Sequence, residues 1–300
     1  VINIGPQHPA THGVLRFRVS LEGEIIRKLD VHCGYIHRGI EKMCESLTYP
    51  QTLALTDRLD YLGASQNRHA LCMCIEKGLG VEVSERVQYI RTIMDELQRI
   101  DSHLLFFACL CMDMGALTAF FYGFRDREKV LDILEQTTGG RLIQTYNTIG
   151  GVQADIHPDF VRRVKEFIAY MRPTLREYHE VFTGNVIARE RLKGTGVLTR
   201  EDAISFGATG GTGRASGWAC DVRKRHPYAM YGKVDFEEVL YDEGDCFARY
   251  MVRMREIEQS MDIIEQLIDN IPEGEYQLKM KPVIRICLLY TSPSPRDVEE

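Results

Sequence analysis

Alternation marks the first readable stretch of the chain. Leu15, Phe17, Val19 and Leu21 alternate with Arg16, Arg18 and Ser20, the period of two expected of a half-buried strand. Glu22-Gly23-Glu24 then turns the chain and Ile25-Ile26 through Val31 supplies a return strand, so residues 13–31 predict a β-hairpin. From about residue 45 to 140 the period becomes helical. Val87, Ile90, Met94, Leu97, Ile100 and Leu104 recur at three- and four-residue spacing, with Ser84 placed to cap the start and Gly115 to stop the run. A second long helix is expected over about 158–190, bent or split by Pro173. A third spans about 246–270, where Phe247, Tyr250, Met254, Ile257, Met261, Ile264 and Leu267 form one apolar stripe that reads as core. Residues 194–245 are Gly-rich and predict irregular structure. The sum is a mainly α protein with small antiparallel β-sheets, an α+β class, without internal repeats.

One domain is expected over residues 1–285. Residues 286–300 carry neither period and read as a non-native tail of the kind left by translated vector sequence. The chain opens Val-Ile-Asn-Ile-Gly, without Met, which predicts truncation at the start as well as at the end.

Composition narrows the function classes. The 300 residues carry 37 Lys+Arg against 43 Asp+Glu, a formal net charge of -6. A surface that tracks phosphates needs a clustered basic excess, and Arg223-Lys224-Arg225 does not extend into one, so nucleic acid is disfavoured as a partner. The longest clean apolar run, Leu104 to Met112, falls well short of the ~20 residues a spanning helix needs. Membrane attachment would have to come through partner subunits. Nine cysteines without a C-x-x-C pair predict reduced, ordinary buried thiols rather than disulfides or a metal centre.

Candidate chemistry is sparse by motif. The run from Gly207 to Arg214 lacks both the G-K-[ST] ending of a P-loop and the G-x-G-x-x-G spacing, so it reads as a turn-rich connector and not a nucleotide loop. Neither a G-x-S-x-G elbow nor an H-E-x-x-H pair occurs. His8 and His12 stand out because Pro6, Pro9 and the flanking glycines put both on a loop beside the hairpin, where function often resides. By pattern alone, Tyr61 and Asp113 only finish helices.

Gly5-Pro6-Gln7-His8-Pro9-Ala10-Thr11-His12-Gly13-Val14-Leu15-Arg16 closely resembles the opening signature of the D-type, quinone-site subunit family of proton-pumping NADH:quinone oxidoreductase, respiratory complex I. The run from His32 to Lys42 continues the match, as do Asp57 to Tyr61, Met112 to Ala116 and Gly150-Gly151-Val152, in order. The resemblance covers about residues 3–285 and implies a helical bundle with small β-sheets, related to the large subunit of nickel–iron hydrogenases. In those hydrogenases two C-x-x-C pairs hold the metal. Arg58-Leu59-Asp60-Tyr61 stands where the first pair would be, so the resemblance implies a quinone pocket there and no metal site.

Residue by residue, the resemblance assigns His12 to the quinone headgroup, Tyr61 to the opposite carbonyl and Asp113 to the carboxylate that pairs with the histidine. It places His8 on the same loop and Arg38 close to a terminal iron–sulfur cluster held by a neighbouring subunit. Quinone reduction takes two electrons and two protons. An imidazolium can give a proton near neutrality and a phenol can donate to a strongly basic oxygen. The implied partners are other complex I subunits: the cluster-binding small subunit, the C-type subunit and a membrane-arm subunit at the quinone channel. The implied location is the cytoplasmic face of a bacterial inner membrane. The chain itself supplies no cluster ligand and no NADH site.

Two departures stand out. Many family members read Gly-Ala-Arg-Met-His where this chain has Gly139-Gly140-Arg141-Leu142-Ile143, which removes a histidine linked to pH-dependent tuning of the cluster. Thr148 replaces an arginine often found before the Gly-Gly pair. A hydrogenase-type large subunit and a non-catalytic scaffold remain as alternatives, the first requiring four nickel-binding cysteines.

Overall fold

A computed structural model describes residues 1–7 and 14–279. Strands β1 (Ile2–Ile4), β2 (Arg16–Glu22) and β3 (Ile25–His32) form one antiparallel sheet in that order. Glu22 pairs with Ile25 across a two-residue turn, and Gly23 takes the left-handed backbone, φ +62°, that a tight hairpin turn demands. The hairpin was therefore legible to within a few residues. Strand β1 was not, since three residues are too few to show a period.

Helix α1 (Ile40–Cys44) precedes the predicted helical stretch, which resolves into α2 (Tyr49–Thr56), α3 (Ala64–Leu79), α4 (Glu85–Asp113) and α5 (Leu117–Thr138). Ser84 caps α4 by accepting the Val87 amide hydrogen. Gly115, at φ +81°, closes the other end: the Ala116 amide donates back to the Cys111 carbonyl, five residues earlier. A two-stranded sheet of β4 (Asn147–Thr148) and β5 (Gly151–Val152) follows.

Helix α6 (Phe160–Tyr178) runs through Pro173, so the proline does not split it. Met171, Thr174 and Leu175 on either side are buried, and that packing outweighs the ~3 kcal/mol a mid-helix proline costs. The break comes later, at a π-turn over His179–Thr183, where the Gly184 amide reaches the His179 carbonyl. There Thr183 exchanges a 2.7 Å hydrogen bond with Tyr250. Helix α7 (Val186–Leu192) completes the segment.

The Gly-rich stretch is less irregular than expected. It contains α8 (Arg200–Ser205), α9 (Gly210–Ala215) and α10 (Val222–Arg225), so more than half of the supposed connector at 207–214 is helical. Arg223 is not part of a basic surface: it is buried, bound to Asp221 and Glu96. The last helix is α11 (Cys246–Ile268), as the stripe predicted, with Tyr250, Met254, Ile257, Met261, Ile264 and Leu267 all buried.

Helix α4 is the axis of the core, with α5 and α11 packed along it. Ile90, Leu97, Ile100 and Leu104 are fully enclosed, each worth roughly 1.5–3 kcal/mol of transfer free energy. Gly123 of α5 lets the backbones approach: a Cβ there would lie 2.8 Å from that of Ala108. The thiols depart from expectation. Cys72 and Cys111 are buried, but Cys74, on another face of α3, and Cys33, in the loop after β3, are exposed, because position in the fold and not residue type decides their environment. The tail at 286–300 lies outside the described residues.

Candidate functional site

One cavity of about 710 Å3 opens along α4. Its floor is a stripe of that helix: Arg99, Ser102, His103, Phe106, Cys109, Leu110 and Asp113. Steps of three and four put these residues on one face, and the fourteen steps from Arg99 to Asp113 at ~1.5 Å each span about 21 Å. The Tyr61–Leu62 turn, Arg127 of α5, Leu142, the first turn of α9 and Arg214, Arg253 and Glu256 supply the walls.

Local rules set each side chain. Asp60 builds the turn that presents Tyr61: its Oδ1 accepts the Leu62 amide hydrogen at 3.0 Å and its carbonyl accepts that of Gly63. Tyr61 is 56% exposed, so its ring stands against the cavity rather than in the core. Asp113 is the last residue of α4, held at the rim by the glycine stop that follows it.

Behind the lining lies a layer of paired charges. Glu256 accepts from His103 Nε2 at 2.7 Å and from Arg214 Nε at 2.8 Å. Burial alone would raise its carboxyl, but the hydrogen bond and charge of His103 with the Arg214 guanidinium hold it below the ordinary range. Because an ionised carboxylate only accepts, Nε2 of His103 carries the hydrogen. Burial also lowers His103 itself, against the pull of Glu256. Glu96, wholly buried, accepts from Arg99, Arg223, Tyr231 and Ser260. Burial again pushes up, and Arg99 and Arg223 outweigh it to hold the group at about 2. Asp101 goes the other way: burial lifts it to about 6 against the opposing charge of Arg127.

Arg253 differs from the other cavity arginines. Its guanidinium stacks on the Phe106 ring at 4.4 Å and donates to the Arg249 carbonyl, and among the described residues it has no carboxylate within salt-bridge distance. Burial pulls it below the usual arginine value. Such a cavity offers aromatic and aliphatic walls for a flat ring, with donors and cations to meet its oxygens.

Of the residues singled out by sequence, the cavity brings Tyr61 and Asp113 together. His8 and His12 lie outside the described residues; Gln7 and Val14, on either side, form an antiparallel bridge. Arg38 is exposed and lines a separate surface depression with Gly39, Lys42 and Met43. Sequence reasoning missed Arg99, His103, Arg127, Arg214, Arg253 and Glu256. A signal existed for the two on α4, which share the three-and-four spacing of Phe106, Leu110 and Asp113 one face away from the apolar stripe. Among the described residues, no group of three or more His, Cys, Asp or Glu could hold a metal ion, and no helix is long and apolar enough to cross a membrane.

Comparison with known proteins gives this geometry a family. The one described as respiratory-chain NADH dehydrogenase, 49 kDa subunit, matches residues 113–287. The C/D-type NADH-quinone oxidoreductase subunit of Phocaeicola vulgatus is 89% identical over 286 residues, covering 95% of this chain and 55% of that protein. The second D-type NADH-quinone oxidoreductase subunit of Rhizobium etli is 45% identical over 283 residues, covering 94% of this chain and 70% of its own length. The D-type subunit of Geobacillus kaustophilus is 44% identical over 286 residues, covering 95% and 78%. The chain spans about half the length of the C/D-type relatives it matches. With two thirds or more of the D-type relatives covered at such identity, this chain belongs to the family of the 49 kDa subunit of respiratory-chain NADH dehydrogenase.

Proposed function

We propose that the cavity along α4 is where a quinone is reduced, as part of a larger NADH:quinone oxidoreductase. The observation that carries this reading is that Tyr61 and Asp113, 52 residues apart in sequence, line one cavity with aromatic and cationic walls. Electrons arrive from an iron–sulfur cluster in a partner subunit; this chain binds the ring and handles protons. The Tyr61 hydroxyl donates to one ring oxygen. His12 serves the other, with Asp113 compensating the charge of its imidazolium. His8 accompanies His12 on the same loop. Arg38 adds a fixed positive charge beside the partner's cluster and eases electron arrival there.

In this reading the chain assembles with a cluster-binding small subunit, a C-type subunit and a membrane-arm subunit, peripheral on the cytoplasmic side of a bacterial inner membrane. Ring reduction is there coupled to proton translocation by the membrane arm. The C/D-type and D-type names of the relatives support the assembly. The test is quinone reduction by membranes carrying Tyr61→Phe, Asp113→Asn or His12→Ala in the complete complex. A loss of tenfold or more (about 1.4 kcal/mol) at normal complex content is expected for each. Full activity in all three would leave the chain a scaffold.

A further inference from the structure

Asp101 sits wholly buried on α4, directly beneath the cavity wall. Its Oδ1 lies 2.9 Å from Nε of Arg127, yet the two atoms are not aligned as a hydrogen bond, and the contact from Arg127 Nη2 to Oδ2 is long at 3.3 Å. Oδ2 also accepts from Gln98 Nε2 at 3.1 Å, and the same Nε2 donates to the Leu62 carbonyl at 3.2 Å. Gln144 holds the far side of Gln98 at 2.5 Å. One carboxylate is thus tied to two pieces of the cavity lining, Arg127 and the Tyr61–Leu62 turn. The charged groups facing it are Arg127 and Glu128, both from α5; Gln98 and Gln144 are neutral.

We propose that Asp101 is a positioning residue for the cavity: while ionised it commits Arg127 to the protein, and once neutral it leaves that guanidinium to an oxygen on the ligand that is gaining negative charge. A poorly aligned pair is easily given up, whereas a buried cation without its counter-charge seeks the nearest acceptor, and Arg127 faces the cavity. Burial lifts Asp101 to about 6, so the exchange falls within the range where such complexes can be assayed. This inference rests on the quinone reading above.

The test compares kcat/KM for a short-chain quinone in membranes holding the complete complex with Asp101→Asn against the unaltered complex, from pH 5 to 8. Taking the ratio cancels groups that titrate in both. Asn imitates the neutral acid, so the ratio is expected near one at pH 5 and to climb about tenfold by pH 8, half-way at about 7 because the unaltered complex loses its activity from about 6 upward, with Asp101→Glu restoring the original profile. A ratio flat across this range overturns the proposal. Should Asp101→Asn fail to assemble, the double variant Asp101→Asn/Arg127→Gln removes both charges. Its ratio should stay near one at pH 8 and fall to about one tenth at pH 5, and a flat ratio again overturns the proposal. Tyr61→Phe, Asp113→Asn and His12→Ala separate the two ideas: a flat ratio with any of these variants impaired defeats the role of Asp101 alone, while full activity in all three defeats the quinone reading.

Discussion

Glu256 on α11 and His103 on α4 meet at 2.7 Å, and Arg214 of α9 takes the other side of the same carboxylate. Three elements distant in sequence are thereby joined at the cavity wall through one ionised group. Removing that group leaves Arg214 buried without its counter-charge. Glu256→Gln should therefore lower the unfolding free energy by about 3–5 kcal/mol, read as a shift in the urea midpoint at constant slope. A loss below about 1 kcal/mol would mean that His103 and Arg214 are satisfied by other groups once the charge is gone.

The pH dependence of stability has two limbs of opposite sign. Glu96 is lowered from its ordinary 4.5 to about 2, because Arg99 and Arg223 outweigh the burial that would raise it. Its contribution is present above the unfolded value and disappears as pH falls from about 4.5 towards 2. Glu256, also lowered, acts in the same direction. Asp101 is raised from 3.8 to about 6, so its contribution is complete below 3.8 and is lost as pH rises through 6. His103, lowered from 6.5 by burial, loses its contribution as pH falls below 6.5 and opposes Asp101 in that window, so the upper limb is read as the difference in urea midpoint between Asp101→Asn and the unaltered protein. Asp101→Asn should lift the limb above pH 6 and leave the acid limb unchanged; an unaltered upper limb would show that Arg127 already compensates the buried charge.

Periodicity made the framework of this chain legible. The apolar stripes of α4 and α11 are continuous over six or seven turns, so their burial could be read directly from spacing. The hairpin followed from alternation around Gly23. Pro173 misled because local propensity is weaker than packing on Met171 and Leu175, and the π-turn at 179–183 answers to Tyr250, a partner 67 residues further along the chain. The cavity was only partly legible. Tyr61 and Asp113 came from resemblance. Arg214, Arg253 and Glu256 reach the cavity through the packing of α9 and α11 on α4, a tertiary fact no local window contains. Asp101 and Glu96 belong to no motif, and their burial depends on partners from other elements: Arg127 for the first, Arg223, Tyr231 and Ser260 for the second.

Gly123 tests the closeness of α4 and α5. An added Cβ would meet the Ala108 Cβ at 2.8 Å, Phe107 Cδ1 at 3.1 Å and the Leu104 carbonyl at 3.2 Å, with a fixed backbone on one side and a packed ring on the other. Gly123→Ala should gain helix propensity worth up to ~1 kcal/mol and lose more through overpacking, for a net destabilisation of about 1–2 kcal/mol. A stabilised variant in thermal unfolding would mean that the two helices separate at little cost.

Asp60 tests whether the turn, rather than Tyr61 alone, makes the cavity wall. Its Oδ1 bond to the Leu62 amide fixes the direction in which Tyr61 leaves the backbone, and Gly63 has only 3.3 Å between a would-be Cβ and Asp60 Oδ2. Asp60→Ala removes the acceptor while the side chain lies outside the core, so stability should change by less than about 1 kcal/mol. If the cavity receives a quinone, the misplaced phenol should raise KM about three- to tenfold with a smaller effect on kcat, since ring binding is lost before proton donation. Asp60→Asn keeps an oxygen at the accepting position and should restore most of the affinity. Measuring both constants for the two variants in the complete complex decides the matter: equal KM values for Asp60→Ala and the unaltered protein would show that the Leu62 carbonyl, held by Gln98, suffices to place Tyr61.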